Sequence, residues 1–199
     1  MSKVVKQIYD SLTSRVQVKL RIMARFSSRK FNTENELYDY AIGALARRMR
    51  STAELKRLLR RRVEADEIGQ TLVELVIRKL KDQGYLNDAK YAVAYSSFRR
   101  DNEKFGQRRV VTELKVKGVH GDVISAAIDS AYQDVNEEKQ ARDYLRRKRL
   151  TKPKDKRDAA RVFRHLLRAG FASKTIFTIL KKWEVDEEVL EELQIPEQE

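Results

Sequence analysis

The sequence predicts an all-α protein in which three tandem three-helix repeats follow one another in an elongated, modular arrangement. Two observations lead to this prediction. Only seven Gly and two Pro interrupt a chain of 199 residues that is rich in the helix-favouring residues Leu, Ala, Arg, Lys and Glu. In addition, apolar residues recur at helical spacing, and the whole pattern repeats along the chain.

The first predicted helix begins at a capping signal. Thr33 and Glu36 have the Thr-x-x-Glu spacing at which each side chain can accept a hydrogen bond from the backbone N–H of the other residue. Apolar side chains then recur every fourth residue, at Leu37, Ala41, Leu45 and Met49. This spacing predicts a helix that buries one face.

Ser51 and Glu54 repeat the capping signal shortly afterwards, which implies a sharp corner and a second helix. Its inward side is predicted to consist of Leu55, Leu58 and Leu59. A third apolar stripe follows, at Ile68, Leu72, Val76 and Leu80. It ends before Gly84, and glycine is the residue best suited to a left-handed helix stop. The segment therefore predicts three helices.

The same arrangement recurs twice. Aligning Leu58 with Leu114 and Leu166 gives offsets of 56 and 52 residues and brings other apolar positions into register. The further sets of aligned apolar residues, one from each repeat, are Leu55, Val111 and Phe163; Val63, Val119 and Phe171; Ile68, Ile124 and Ile176; and Leu72, Ile128 and Leu180. An Arg pair closes the first helix of each repeat, at Arg47 and Arg48, Arg99 and Arg100, and Arg146 and Arg147. With glycine stops at Gly118 and Gly170, the pattern predicts repeats at residues 37–86, 87–135 and 136–183.

Two ends lie outside the repeats: a basic arm at residues 1–36 and an acidic tail at residues 184–199. Residues 15–26 alternate as in a half-buried strand but also show helical spacing, and a helix is favoured because a lone strand would lack a partner. The tail carries eight acidic side chains and no basic one. It can be a solvated end, or a mimic of DNA on the protein's own basic surface, and is predicted to continue briefly as helix after Trp183.

The charge of the chain favours a polyanionic partner. The formal net charge is +13, and leaving out the eight negative charges of the tail raises it to +21 for residues 1–183. No stretch has the length and hydropathy of a membrane span, and the N-terminus has no signal-peptide pattern. The chain also has no cysteine. We therefore expect a soluble cytoplasmic protein without disulfides.

An enzymatic function is not indicated. His120 and His165 lie in different repeats without a nearby carboxylate pattern, and there is no glycine-rich phosphate loop or paired-histidine metal motif. We expect no catalytic residue, no cofactor and no metal. The aromatic residues Tyr91, Tyr95 and Phe98 have the spacing of a core stripe, and Phe163, Phe171 and Trp183 are likewise expected to pack rather than to stack on bases.

Three segments carry an excess of cations: residues 46–62 have eight basic side chains against one acid, residues 99–117 seven against three, and residues 142–168 twelve against three. Each segment could be a solvated helix face. An excess of basic side chains at equivalent positions of all three repeats, however, favours a role in binding a partner. The candidate contact residues are Arg47, Arg48, Arg57, Arg60, Arg61, Arg62, Arg99, Arg100, Arg108, Arg109, Lys115, Lys117, Arg146 and Arg147.

Two neighbouring stretches, GYLNDAKYAVAYSSFRR from Gly84 and FGQRRVVTELKVKG from Phe105, resemble a known family. Together with the repeats, they resemble the RecX family of bacterial recombinase regulators, over residues 37 to 183. The sequence departs from the family pattern at Asn87, where Asp is common, and at Gln107, where Pro is frequent. His120 and Ala172 stand where a capping Ser is usual. Physically, Asn87 or Asp88 can cap the next helix.

The resemblance implies a helical protein that lies along the groove of the RecA filament on single-stranded DNA, curbs ATP hydrolysis and strand exchange, and promotes loss of the filament. The expected partners are the RecA filament and single-stranded DNA, with duplex DNA as a further candidate; we expect a monomer and no membrane partner. Two alternatives stay open at this point. One is a stand-alone DNA-binding protein with helix-turn-helix-like units, and the other is a helical adaptor for an acidic protein.

Overall fold

The computed structural model describes residues 30–193, which are all-helical and contain no strand. The predicted all-α class with a helical-repeat arrangement is confirmed. The prediction for residues 15–26 lies outside the described residues. The helices within this range are α1 (Glu34–Arg47), α2 (Thr52–Arg60), α3 (Glu67–Asp82), α4 (Asp88–Glu103), α5 (Gln107–Val116), α6 (Gly121–Tyr132), α7 (Glu137–Arg147), α8 (Lys156–Arg168), α9 (Ser173–Lys182) and α10 (Glu187–Glu192).

The predicted helix starts are confirmed by their hydrogen bonds. Thr33 caps α1 through its Oγ1, which accepts a bond of 3.4 Å from the backbone N–H of Glu36. Ser51 and Glu54 form a reciprocal capping box at α2, with bonds of 3.1 and 3.2 Å. At α4 the cap is Asn87, whose Oδ1 accepts from the N–H of Lys90 at 2.9 Å. Local sequence therefore fixes where these helices begin.

The predicted helix stops are confirmed as well. Gly84 and Gly118 both have φ of +74°, and Gly170 has φ of +91°. A side chain at these angles would crowd the backbone, so glycine is the residue that reverses the chain at the least cost.

The predicted register of the first repeat is wrong by one residue in α2. The structure buries Leu55 and Leu59 fully and leaves Leu58 half-buried. In α5 the fully buried pair is Val110 and Leu114. The offset is therefore 55 residues in these helices, because pairs spaced by four residues face the core at the corresponding turns.

One predicted core position in α3 is also wrong. Ile68 is 71% exposed, whereas its counterparts Ile124 and Ile176 are buried. Ile68 lies in the first turn of α3, and the buried stripe of that helix consists of Val73, Val76, Ile77 and Leu80. Ile68 has the sequence spacing of the predicted apolar stripe, but its side chain in the first turn of α3 is not packed into the core.

The chain divides into two compact units. Unit 1 contains the described residues as far as Tyr91 together with Lys117–Val119, and unit 2 contains Ala92–Val116 and the residues from His120 onward. The core of unit 1 is built from α1, α2 and α3 around Leu37, Leu55 and Leu80. The repeat boundaries at residues 86 and 135 are sequence assignments and stay predictions.

Unit 2 contains a close backbone approach at Gly106, whose N–H donates to the carbonyl of Ala169 at 2.9 Å. A Cβ at Gly106 would overlap the Gly170 carbonyl and lie 2.8 Å from the Phe171 nitrogen. Next to it, the Phe105 carbonyl accepts bonds from Tyr132 Oη at 2.9 Å and from Gln140 Nε2 at 2.6 Å. These bonds fix the loop before α5 against α7 and the turn after α8.

The expectation of an aromatic core stripe on α4 holds only in part. Tyr91 is buried and Tyr95 is half-buried, but Phe98 is 54% exposed, so its predicted core position is wrong. Phe171 is fully buried, and its ring centroid lies 5.9 Å from that of Tyr144. Phe163 is half-buried and pairs with Phe177 at 5.3 Å.

The part of the acidic tail that the structure describes, residues 184–193, forms a helix after a break. Glu184 has φ of +57°, which ends the preceding helix, and α10 then carries Leu190 into a buried position. Glu184 pairs with Lys152 at 2.7 Å, and Glu192 pairs with Lys156. The described part of the tail is therefore held on unit 2 by one apolar anchor and by ion pairs. The solvated-end and DNA-mimic interpretations both stay predictions.

Candidate functional site

The candidate cations lie mostly at helix ends. Arg47 ends α1 and Arg48 follows it, Arg57 to Arg62 end and follow α2, and Arg99 and Arg100 lie near the end of α4. Arg108 and Arg109 begin α5, Lys115 and Lys117 end and follow it, and Arg146 and Arg147 end α7. Cations at helix C-termini are favoured by the helix dipole, so a part of this pattern has a local structural cause.

In unit 1, Glu54 organises several of these groups. Its Oε1 lies 3.2 Å from Lys117 Nζ and 3.8 Å from Arg48 Nη2, and its Oε2 accepts from Tyr91 Oη at 3.2 Å. Burial raises the pKa of the Glu54 carboxyl, but the bonds from the Ser51 N–H and Lys117 outweigh it and lower the pKa below 4.5. Lys117 therefore has a structural role in this cluster.

The Glu54 cluster predicts a pH dependence of stability. A carboxyl whose pKa is lowered by folding stabilises the protein above its unfolded pKa, and this stabilisation disappears as the pH falls through the folded pKa. Glu54→Gln should lower the free energy of unfolding by about 1–2 kcal/mol at pH 7. The difference from the wild type should shrink below pH 4.5. Thermal unfolding followed by circular dichroism between pH 3 and 7 measures the stability difference between the two proteins. A stability difference that does not depend on pH would contradict the stabilising role of the Glu54 carboxylate.

In unit 2, Glu113 is the acid of a half-buried network. Its Oε2 lies 2.9 Å from Arg99 Nε and accepts from Tyr95 Oη at 2.7 Å, and its Oε1 lies 3.1 Å from Arg109 Nε. The Phe105 ring lies 3.8 Å from the Arg109 guanidinium carbon and 5.5 Å from that of Arg99. Burial and Glu113 raise the pKa of Tyr95 to about 12. Arg99 and Arg109 thus support the fold of unit 2.

Three other candidates in unit 2 have acidic partners. Arg100 pairs with Asp101 at 2.7 Å and donates to the Ala131 carbonyl, and Arg147 pairs with Glu103 at 2.6 Å. Arg146 lies 3.3 Å from Asp143, but its side chain is 80% exposed. Arg146 is therefore the candidate on α7 that a partner can reach most easily.

The exposed candidates lie on or beside four helices, α1, α2, α5 and α7. Arg57, Arg60 and Arg61 are exposed, and Arg60 has a long contact of 3.9 Å with Glu74. Arg62 is half-buried and its Nε donates to Tyr40 Oη at 3.2 Å. Apart from Arg146 and Arg147 on α7, the remaining exposed candidates are Arg47, Arg48, Arg108 and Lys115.

The structure adds four residues to the predicted set. Arg157, Arg161, Arg164 and Arg168 are all exposed along α8. Their spacing of four, three and four residues places them on one helix face, opposite the buried Ala159, Val162 and Leu166. The excess of basic side chains at residues 142–168 indicates this region, but the predicted contact residues include only Arg146 and Arg147 from it. The helical spacing within 156–168 was the signal that could have found the row.

The described residues contain no group of His, Cys, Asp and Glu able to hold a metal ion. His120 lies exposed, 3.8 Å from Asp122, and His165 is half-buried on α8. None of the helices in residues 30–193 has the length and hydropathy needed to cross a membrane.

Comparison with known proteins identifies the family. Residues 38–75 match the model of the first RecX three-helix domain, and residues 87–128 match that of the second. The chain is 34% identical over 142 residues to the regulatory protein RecX of Leptothrix cholodnii, covering 71% of this chain and 85% of that protein. It is 33% identical over 149 residues to regulatory protein RecX of Pseudomonas putida, covering 74% and 90% of the two chains.

Solved structures agree on the fold. The crystal structure of RecX from Lactobacillus salivarius has a TM-score of 0.58 at 21% identity, with 76% of this chain and 96% of that chain covered. A second crystal structure of regulatory protein RecX has a TM-score of 0.56 at 20% identity, covering 75% and 71%. The identity to the curated relatives, over most of their length, establishes that this chain belongs to the RecX family of regulatory proteins.

Proposed function

We propose that this protein binds the RecA recombinase filament on single-stranded DNA and lowers the ATPase and recombination activities of the filament. The regulatory character follows from membership of the RecX family, and the resemblance of the sequence to that family supplies RecA as the partner. The proposal assigns no catalytic step to the protein itself.

The observation that carries the proposal is the set of exposed arginines at the end of α2. Arg57, Arg60 and Arg61 lie within one helical turn, and Glu54 is the only acidic side chain in residues 46–62. Glu54 is engaged with Lys117 and Ser51, and Arg60 has a long contact of 3.9 Å with Glu74. Such a cluster suits acidic protein surface and phosphate alike, and a nucleoprotein filament presents both.

Repetition gives a reason for preferring a filament to a single small partner. Exposed cations also occur on α5 of unit 2, at Arg108 and Lys115, and on α7 at Arg146. Several weak charged contacts on one chain reinforce one another when the partner is itself repetitive.

The test is the steady-state ATPase of the cognate RecA on single-stranded DNA, titrated with this protein at moderate salt while filament length is followed. We expect inhibition well below one protein per recombinase, together with shorter filaments. Unchanged ATP hydrolysis and filament length over the whole titration would refute the proposal.

The stand-alone DNA-binding alternative is tested by the salt dependence of binding to DNA without recombinase. A protein whose function rests on naked DNA should bind it tightly, with a slope of roughly 0.9 per neutralised duplex phosphate. Tight binding of that kind combined with unchanged ATP hydrolysis would favour the alternative. If neither duplex nor single-stranded DNA binds, an adaptor for an acidic protein would be favoured.

A further inference from the structure

The outer face of α8 carries a row of arginines that lies outside both segments matched by the family models. Arg157, Arg161, Arg164 and Arg168, here called the α8 row, are all exposed. The last arginine lies eleven positions after the first, so the row is about 16 Å long at a rise of about 1.5 Å per residue. The opposite face, with Val162 and Leu166, is buried, which fixes the orientation of the row toward solvent.

The α8 row has little local neutralisation. Asp158 is the one acidic side chain in α8, and it pairs with Arg161 at 3.1 Å. The helix that packs against α8, α9, has no acidic side chain. Among the described residues, no ion pair is formed by Arg157, Arg164 or Arg168. Their charge is therefore available to an external anion.

The acids of α7 do not neutralise the row either. Glu138 binds Arg142 and Lys182, both at 2.8 Å, and Asp143 lies 3.3 Å from Arg146. Glu137 accepts from the Ala172 N–H at 2.9 Å and from Thr175 Oγ1. Each of these carboxylates is committed to a structural contact away from α8.

The basic residues at the start of α8 already hold anions within this chain. Lys156, the first residue of α8, pairs with Glu192, and Lys152 pairs with Glu184 at 2.7 Å. Glu192 thus lies beside the first residue of α8, and Glu184 lies beside the segment that precedes the helix. This observation is independent of the row itself and indicates that the surface attracts carboxylate or phosphate oxygens.

The chemistry of the face fits nucleic acid better than a protein partner. Protein interfaces are centred on apolar and aromatic side chains surrounded by a polar rim. The α8 face exposes one large apolar side chain, Leu167, which is 44% exposed. A row of guanidinium groups without an apolar centre is suited to successive phosphates of a nucleic acid backbone.

We propose that the α8 row binds the phosphate backbone of single-stranded DNA, independently of its sequence. The inference deepens the proposed function, on which its biological setting rests, by assigning a DNA contact to α8. Arg157, Arg164 and Arg168 make the phosphate contacts, and Arg161 contributes less because Asp158 is its partner.

The experiment measures binding of labelled oligothymidine to the full-length protein, without recombinase, between roughly 50 and 200 mM salt. In Arg157→Gln/Arg164→Gln/Arg168→Gln, affinity at the lowest salt should fall at least about tenfold. The slope of log affinity against log salt should fall by about 2, because roughly 0.7 is lost per single-strand phosphate contact. Arg→Lys replacements at the same positions should keep most of the affinity and of the salt slope, since Lys neutralises a phosphate as Arg does.

The matched control replaces three exposed cations of unit 1, Arg78→Gln/Lys81→Gln/Lys90→Gln, and should change affinity less than about threefold. Gln has a helix propensity close to that of Arg, and circular dichroism checks that each variant is folded. The inference is overturned if the wild type does not bind, if the α8 variant binds as the wild type does, or if the control loses as much.

The result also separates this inference from the proposed function. If the α8 variant loses DNA binding while the wild type never inhibits RecA, the DNA contact stands and the regulatory proposal fails. If the variant binds naked DNA normally but inhibits RecA poorly, the row contacts protein and the DNA assignment fails.

Discussion

Gly106→Ala is expected to lower the free energy of unfolding of unit 2 by about 3 kcal/mol. The added Cβ would overlap the Gly170 carbonyl and lie 2.8 Å from the Phe171 nitrogen. Both neighbours are backbone atoms, so no rotation of a side chain can relieve the overlap. Relief requires the loop before α5 to move, which weakens the 2.9 Å hydrogen bond from Gly106 to Ala169.

Urea unfolding followed by the fluorescence of Trp183, the single tryptophan of the chain, measures this effect in unit 2. Gly121→Ala is the matched control, because nothing lies within 4 Å of a Cβ at that position. Gly121 begins α6, where Ala should change the free energy of unfolding by less than about 1 kcal/mol. Equal stabilities of the two variants would contradict the close approach at Gly106.

Neutralising the end of α2 is expected to have the largest functional effect. Arg57→Gln/Arg60→Gln/Arg61→Gln should raise the concentration needed for half-inhibition of the RecA ATPase at least about tenfold. Each charge-assisted contact contributes about 1.5–3 kcal/mol, and about 1.4 kcal/mol already corresponds to a factor of ten. The three side chains are exposed, so their loss should leave the core of unit 1 intact.

Two controls identify the cause of such a loss. Arg78→Gln/Lys81→Gln/Lys90→Gln removes the same charge from the same unit and should change the half-inhibition concentration less than about threefold. Thermal unfolding should place both variants close to the wild type. An unchanged half-inhibition concentration in the α2 variant would remove these arginines from the contact surface.

The local signals of the sequence were sufficient for most helix ends. Thr33, Ser51 and Asn87 cap helices as their side-chain chemistry requires, and the glycine stops at Gly84, Gly118 and Gly170 adopt the expected positive φ. These features depend on residues close in sequence. They could therefore be predicted without knowing what packs against them.

Burial that depends on tertiary packing is harder to predict from the sequence. Ile68 and Phe98 follow the spacing of a core stripe, but the packing of the described helices leaves both exposed. The register of α2 was misplaced because Leu55, Leu58 and Leu59 are chemically alike and only packing selects Leu55 and Leu59 as the fully buried pair. The break at Glu184 was likewise not signalled by composition.

The candidate contact residues likewise include some features that the sequence predicts and others that depend on the fold. Charge counting located the basic regions, but it could not separate Arg99 and Arg109, which hold Glu113, from exposed residues such as Arg61 and Arg108. The partners of Arg99 and Lys117 are 14 and 63 residues away in sequence, so their pairing depends on the fold. The α8 row needed only helical spacing and could have been found from the sequence.

Two equilibrium affinities decide whether this RecX-family protein acts on a RecA filament. Labelled protein is titrated with RecA filaments assembled on single-stranded DNA with a slowly hydrolysed ATP analogue, and with the same DNA alone at the same salt. We expect at least about tenfold tighter binding to the filament, because protein contacts add about 1.4 kcal/mol or more to the phosphate contacts. Equal affinity for the filament and for the DNA alone, or weaker binding to the filament, would show that the filament is not the target.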